Sequence, residues 1–568
     1  MKEFIFGTLS TTEKRLEYLR KQRRGLRHQY WLDPLAPGGG VSPVITVTAG
    51  MDTSVEEVIC VITKPEKLEI PLSLERTEWD LLNWGYMQHW IAKLPAQSSG
   101  TLVRYTIKAR ETGSSWIPAD GGAVYSYLVG KPDPPPWSSE AIIYQIFPDR
   151  FHPGAGKQWN ETQDLREIHG GTIRGIIENL DHVSEMGFNC IWLNPFFPDD
   201  TYHGYHATDY FSVNPRLGNE EDLRELVDQA HARGIRMILD FVANHWGSQH
   251  PTFREAVADP SSEYKDWYIW NQWPNDYDSF FGVKALPTIN VDNPDARIHL
   301  LKAVRHWLLD FDFDGCRLDY ALGPSQDFWT EFRAAVQNAK PDAWIFGEVV
   351  ETPETQLRYW GRLHGCLDFV LQQAIRQTFA FGEMSLTSFN SFLDKHEAFF
   401  PRKFSRPSFL DNHDVNRFLW LVEGDKRKLK LAALCQFTLA GPPIVYYGTE
   451  VGLSQKQDIV ASNGRHEMEQ SRLPMLWGEA QDSELKEFFR WLVHFRRQHP
   501  VLWQGVRETV HLDETAGTYA YLRKDEQENI IVAINLSDAE KRFEAVGCIF
   551  DLAPWSGEIK TLNSLEVD

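Results

Sequence analysis

Apolar and polar residues alternate in short runs between about 30 and 130, as in Val44-Ile-Thr-Val-Thr48, Glu57-Val-Ile-Cys-Val-Ile62 and Val103-Arg-Tyr-Thr-Ile-Lys108. A period of two puts the apolar side chains on one face of a strand, and Gly and Pro clusters between the runs supply turns. The pattern predicts a small β-sandwich. Ahead of it, 13–28 places Lys14, Arg15, Arg20, Lys21, Arg23, Arg24 and Arg27 among Leu16, Leu19 and Leu26, which reads as a helix with a solvated basic face. An N-terminal domain over 1–130 follows, closed by the stiff linker Lys131-Pro-Asp-Pro-Pro-Pro136.

From 138 to 500 the period changes to strand and helix in turn, the signature of a parallel sheet. Candidate strands are 141–147, 188–194, 235–242, 314–320, 343–349, 366–371, 405–411 and 442–447. Helical stretches lie between most of them, for example 220–233, 297–309, 326–339 and 427–440. Eight strands predict an α/β fold, a (β/α)8 TIM barrel with its site at the C-terminal strand ends. The connection 246–293, rich in Trp, Tyr, Phe and Pro, is too long for a loop and reads as a subdomain inserted after the third strand. After an amphipathic helix at 483–497, alternation returns in Thr518-Tyr-Ala-Tyr-Leu522 and Asn529-Ile-Ile-Val-Ala-Ile-Asn535 and predicts a C-terminal β domain over 504–568.

Composition narrows the partners. A net charge of −21 over 568 residues disfavours nucleic acid and anionic membrane. The count of 21 Trp is high, and flat aromatic faces suit sugar rings and cores alike. Cys60, Cys190, Cys316, Cys366, Cys435 and Cys548 are scattered without metal-ligand spacing, and most lie in apolar runs, so reduced core thiols are expected. No apolar signal region opens the chain and no run reaches transmembrane length, which leads to the expectation of a soluble cytoplasmic protein.

The chemistry gathers at the predicted strand ends. In Asp314-Gly-Cys-Arg317-Leu-Asp319-Tyr320, strand alternation aims Arg317 and Asp319 to one side, where the guanidinium holds the carboxylate ionised. Ile238-Leu-Asp240-Phe-Val-Ala-Asn244-His245 ends the third strand, Trp344-Ile-Phe-Gly-Glu348 the fifth and Phe409-Leu-Asp-Asn-His413-Asp414 the seventh. Singly, each acid reads as a cap or an ion-pair partner. Together, Asp319, Glu348 and Asp414 converge on one barrel mouth, and two carboxyls in unlike surroundings are what glycoside hydrolysis uses. Apolar neighbours around Glu348 favour a general acid.

These segments resemble the signature regions of the α-amylase superfamily of retaining glycoside hydrolases. The resemblance extends to Gly187-Phe-Asn-Cys-Ile-Trp-Leu-Asn-Pro195, His203-Gly-Tyr205, Leu286-Pro-Thr-Ile-Asn290 and Gly441-Pro-Pro-Ile-Val-Tyr-Tyr-Gly-Thr-Glu450, in family order over about 140–500. The proline linker, the β domain before it and Ala141-Ile-Ile-Tyr-Gln-Ile-Phe-Pro-Asp-Arg-Phe151 are most similar to neopullulanases, cyclomaltodextrinases and maltogenic amylases. The resemblance implies Asp319 as nucleophile, Glu348 as acid/base and Asp414 as a carboxylate gripping sugar hydroxyls. It implies that Arg317 orients Asp319, that His203, His245 and His413 bond the sugar at the cleavage point, and that Tyr205 stacks beneath it. Arg417 is a further candidate for the pocket, Asp240 and Asn244 brace the mouth, and Trp267, Trp270, Trp273 and Tyr277 are candidates for outer sugar contacts or for packing the inserted segment.

Two departures stand out. Where the neopullulanase group usually has Val-Ala-Asn-Glu after the nucleophile, this chain has Tyr320-Ala-Leu-Gly323. The loop from His152-Pro-Gly-Ala-Gly156 lacks the Asn/Asp run that binds calcium in relatives, and Gly170-Gly-Thr-Ile173 lacks its usual Asp, so no metal or other cofactor is expected. The reading is a retaining hydrolase of α-1,4-glucosidic bonds, with α-1,6 bonds a further candidate, in maltooligosaccharides, cyclodextrins, pullulan or starch. Its rivals are a transglycosylase on the same site and a non-catalytic glucan-binding barrel. A homodimer through the N-terminal domain is the assembly implied by dimeric relatives.

Overall fold

In the computed structural model, residues 9–111, 115–461 and 464–562 are described. The outermost parts of the two predicted end domains, 1–8 and 563–568, lie outside them. The N-terminal helix runs Thr12–Gln22, capped by the Thr11 side chain, with no buried residue, which fits its basic composition. Two antiparallel sheets follow. One orders Leu26–Arg27, Val44–Ala49, Gly85–Lys93 and Ser73–Asp80, and the other Tyr125–Leu128, Leu102–Glu111, Val55–Lys64 and Leu68–Pro71. Alternation works as predicted: in Val44–Ala49 every second residue is buried. Ile45, Val47, Val58, Cys60, Ile62, Val103, Tyr105 and Ile107 share one core.

The barrel strands are β1 (Ile143–Ile146), β2 (Cys190–Leu193), β3 (Arg236–Val242), β4 (Gly315–Asp319), β5 (Trp344–Gly347), β6 (Gly365–Cys366), β7 (Ser408–Phe409) and β8 (Pro443–Tyr446). They form one sheet in the order β6-β5-β4-β3-β2-β1-β8-β7. Every pairing of β1 to β5, β8 and β7 is parallel. Between β6 and β7 the Asp368 N–H donates to Pro407 O at 2.9 Å, so the ends of the sheet approach each other and the TIM-barrel topology is completed. The strands are buried on both faces, which is why their sequences read as continuous apolar runs.

The expected sixth strand over 366–371 stops at Cys366. Asp368 ends it: its side chain accepts the Leu371 N–H at 3.0 Å and starts the helix Phe369–Ile375. The inserted segment holds the helix Pro251–Ala258 and a two-stranded ribbon, Trp270–Gln272 with Asp276–Tyr277. After the helix Ser483–Gln498, the C-terminal domain is a four-stranded sheet of Val506–Asp513, Thr518–Lys524, Asn529–Asn535 and Ser556–Leu562 with a separate hairpin. Ala520, Leu522, Ile531, Ala533, Phe550 and Leu552 fill its core.

Candidate active site

The β3/β4 register sets the centre of the site. Asp240 lies directly across from Arg317, and Arg317 across from Phe346 on β5. Cross-strand neighbours on one face are within side-chain reach. Nη1 of Arg317 accordingly donates to Asp240 Oδ1 and Asp319 Oδ1, both at 2.8 Å, and Nη2 lies 2.8 Å from Glu348 Oε2. The guanidinium is fully buried, 5.0 Å from the centre of the Trp192 ring. Gly315 permits the strands to close this tightly, because a Cβ there would meet Trp344 O at 1.9 Å.

Asp240 is heavily bonded at Oδ2. Its Oδ2 accepts from Trp192 Nε1 at 3.1 Å and from the Tyr205 hydroxyl at 2.9 Å, with Asn194 Nδ2 at 3.4 Å. It braces, as the sequence suggested, with four donors already on its carboxylate. By contrast, Asp319 Oδ2 and Glu348 Oε1 have no hydrogen-bond donor among the described residues. These two oxygens are carboxyl positions that the surrounding donors leave open.

Past Asp319 the chain makes a turn that strand propensity does not favour. Tyr320 has φ 38°, in the left-handed region, which costs a non-glycine residue roughly 1–3 kcal/mol. The turn takes the Tyr320 N–H out of the ladder and aims it at Glu348 Oε2, 3.0 Å away, while Glu348 N and O stay paired with Leu318 and Ala321. Glu348 is thus held at its Oε2 by a backbone donor and a guanidinium, leaving Oε1 outward.

Burial raises the carboxyl of Asp319 well above its usual range, Arg317 opposing and the carboxylates of Glu348, Asp240 and Asp414 adding to the rise. Burial likewise raises Glu348, with Arg317 again opposing and Asp414 reinforcing. One guanidinium cannot hold both as anions, so the pair binds a proton that isolated carboxyls would have released. Oε1 of Glu348 is the outward position for that proton, since Asp319 Oδ1 takes the aligned Arg317 bond. Asp414 moves oppositely. Burial would raise it, but His413 and Arg472 outweigh that and hold it well below the usual range.

The third carboxylate rests on a chain of defined donors. Gln145 Nε2 on β1 donates to Asn194 Oδ1 at 2.9 Å and to His413 Nδ1 at 2.8 Å. The His413 proton is then on Nε2, 2.7 Å from the Tyr205 hydroxyl oxygen and 3.0 Å from Asp414 Oδ2. The rings of Tyr205 and His413 stack at 5.5 Å and 4°. Arg472 Nη2 donates to Asp414 Oδ1 at 3.0 Å, its Nε to His413 O at 2.7 Å and its Nη1 to the Tyr202 hydroxyl at 2.8 Å. Gly204, at φ 81° and with Pro195 O only 2.4 Å from where a Cβ would be, lets His203 and Tyr205 flank this point. His203 accepts the Tyr205 N–H on Nδ1 at 3.1 Å. Burial, then His206 and Arg472, lowers His203 well below its usual range, and burial with His206 takes His245 down to about 3. Both are neutral at physiological pH.

Arg417 is a correction. It is buried with Nε donating to Ser471 O at 2.9 Å and Nη1 to Tyr447 O at 3.0 Å, its guanidinium 4.4 Å from the Tyr446 ring centre. Backbone carbonyls hold Nε and Nη1 while Nη2 is buried, and the arginine on the third carboxylate is Arg472, which no strand-end pattern marked. The candidate aromatics of the inserted segment also turn inward. Trp267 is buried, Trp270 donates to Lys265 O, Trp273 to Ala256 O and Tyr277 to Lys284 O. The rings at the mouth are instead Phe280, stacked 4.4 Å from His245, and Phe281, 77% exposed.

The family "Alpha amylase, catalytic domain" matches residues 145–499. The chain is similar to alpha-amylase 2 of Dictyoglomus thermophilum, 41% identical over 434 residues, 76% of this chain and 75% of that one. It is similar to a cyclomaltodextrinase of a Bacillus species, 36% identical over 421 residues, covering 71% and 74%. A solved cyclomaltodextrinase structure superposes with a TM-score of 0.68 at 29% identity, covering 91% of this chain and 92% of that one. With the family covering residues 145–499 and relatives of the same family matched over most of their length, the chain belongs to the α-amylase family and is a glycoside hydrolase.

Proposed function

We propose that the enzyme is a retaining hydrolase of α-glucans, cleaving α-1,4-glucosidic bonds, with α-1,6 bonds as a second target. The observation that carries this is the single Arg317 guanidinium shared by Asp319 through Nη1 and Glu348 through Nη2. Two carboxyls on adjacent strands, about 4.8 Å apart, and on one guanidinium favour the roughly 5–5.5 Å separation of retaining enzymes over the wider inverting one. Glu348 Oε1 gives its proton to the glycosidic oxygen while Asp319 Oδ2 attacks the anomeric carbon. The C–O bond breaks, the leaving sugar departs with that proton, and a glycosyl ester on Asp319 remains. Water then loses a proton to Glu348, attacks the same carbon and frees the carboxylate of Asp319. Asp414, held by Arg472 and His413, grips hydroxyls of the sugar, with His203 and His245 as neutral partners.

Names of the relatives support the substrate class, cyclomaltodextrinase pointing to cyclic as well as linear α-glucans. Chromatography of products from maltotriose, β-cyclodextrin, pullulan and soluble starch tests the class, and added glucose as acceptor separates hydrolysis from transglycosylation. The mechanism predicts that the first product anomer seen by NMR is α. Initial release of the β anomer would overturn it. The six free cysteines, five of them buried, support the cytoplasm as location, and a homodimer through the N-terminal domain is the assembly we infer, tested by sedimentation.

The same reading uses no metal. Asp149, beside the loop where relatives hold calcium, already accepts the His169 N–H at 3.0 Å and the Gly170 N–H at 3.2 Å, with Arg150 Nη1 at 2.8 Å. Treatment with EDTA is therefore expected to leave activity and melting temperature within error of the untreated enzyme. A large stabilisation on adding calcium back would refute this.

A further inference from the structure

His413 and Asp414 lie on a loop, and one side chain ties the two ends of that loop together. β7 stops at Phe409, and the carbonyl of the next residue, Leu410, accepts from Arg376 Nε at 3.0 Å and from its Nη2 at 2.9 Å. The same Nη2 donates to Asn416 O at 2.7 Å. A single planar guanidinium thus fixes the width of the loop over 411–416. Gln372 adds its Nε2 to Leu410 O at 3.3 Å, from the same helix face four residues earlier. Between them the helix Phe369–Ile375 gives way to a π turn over Arg376–Ala380, a rare geometry that recurs at functional sites. Arg376 is only 2% exposed. An apolar side chain would fill this space without the cost of burying a charge, so the fold alone does not call for arginine here.

We propose that Arg376 is a positioning residue of the active site, which sets where the Asp414 carboxylate stands by holding Leu410 O and Asn416 O together. The inference rests on Asp414 as the carboxylate that grips the sugar. Inside the loop, Asp414 N donates to Asn412 Oδ1 at 2.8 Å, and His413 O takes Nε of Arg472 at 2.7 Å. Those bonds shape the apex, whereas the Arg376 bonds set the separation of the ends. Asp414 sits between the two held carbonyls, so parting them displaces it. A displacement of about 1 Å in a group that orients substrate is worth on the order of 100-fold in rate. Lysine would keep the charge, but its single ammonium lacks the rigid fork that spans both carbonyls.

The test is a double-mutant cycle with Asp414→Asn, read as kcat/KM on α-maltosyl fluoride per folded molecule, the folded fraction coming from near-ultraviolet circular dichroism. Fluoride leaves with little protonation, which keeps the residual rates measurable. In the wild-type background Arg376→Met is expected to lower kcat/KM about 100-fold, Arg376→Lys about tenfold and Gln372→Met about threefold. In the Asp414→Asn background each should cost less than about twofold, because the group they place is already gone. Gln372→Met removes one donor along with an Oε1 that has no partner among the described residues, so it remains a test if Arg376→Met does not fold. A side chain that only supports the fold costs the same factor in both backgrounds. Equal losses would overturn the proposal, as would unchanged kcat/KM in the wild-type background. If Asp414→Asn alone kept wild-type kcat/KM, the role of Asp414 would fall, and that of Arg376 with it.

Discussion

Asp319→Asn is expected to lower kcat on a maltooligosaccharide by on the order of 10⁴-fold or more while raising the melting temperature. Activity is lost because the amide cannot form the glycosyl ester. Glu348→Gln is expected to lose about as much, and the double variant little more, since both residues act in one step. The two singles differ on an activated aryl glycoside, whose leaving group needs little protonation. Glu348→Gln keeps measurable turnover there and Asp319→Asn does not. Near wild-type activity in either variant on the natural type of substrate would sink the assignment.

The stability half of that prediction follows from the direction of the shift. Asp319 is raised on folding, so the folded state binds a proton more tightly than the unfolded state does. Its contribution to stability is fully present below the unfolded carboxylate pKa, near 4, and is lost as pH rises toward the folded value. Asparagine does not titrate. The variant should therefore gain most over wild type at neutral pH, and the gain should shrink as pH falls toward 4. A melting temperature lower than wild type at pH 7 would mean that Asp319 is a net stabilising partner of Arg317.

How much of this was legible before the structure depends on where each signal is stored. Barrel strands and the acids at their ends are local: a buried apolar run followed by Asp319 or Glu348 is visible in one segment. Asp240 was readable as a brace from the family resemblance, and the β3/β4 register supplies the reason, placing it opposite Arg317. Arg472 was not, since it reaches Asp414 from 58 residues further along the chain and from an irregular segment without period. Arg417 misled for the converse reason. Being near Asp414 in sequence, it seemed to share its pocket, but the backbone turns into the helix Phe418–Leu421 and sends the side chain to carbonyls. The inserted segment shows the limit of composition. Its Trp and Tyr residues suited sugar contact and packing alike; the indoles of Trp270 and Trp273 donate inward to carbonyls, and the exposed ring is Phe281, which has no polar atom to satisfy.

Arg317→Met is expected to destabilise the protein by about 3–5 kcal/mol at neutral pH, besides abolishing turnover. Methionine fills much of the volume, so the effect is electrostatic. Asp319 and Glu348 lose the opposing charge that now limits their rise, and Asp240 loses one of its four donors. With no cation between them, their folded pKa values move further up. The sign is again that of raised carboxyls: the penalty is absent below about pH 4, where folded and unfolded states are both protonated, and grows as pH rises. Melting curves of Arg317→Met and wild type should accordingly diverge from pH 4 to pH 8. Arg317→Lys separates charge from geometry. One ammonium restores part of the stability but cannot give separate nitrogens to Asp319 and Glu348, so turnover should remain low. A deficit in Arg317→Met that is equal at pH 4 and pH 8 would show that packing, not charge, is what the arginine supplies.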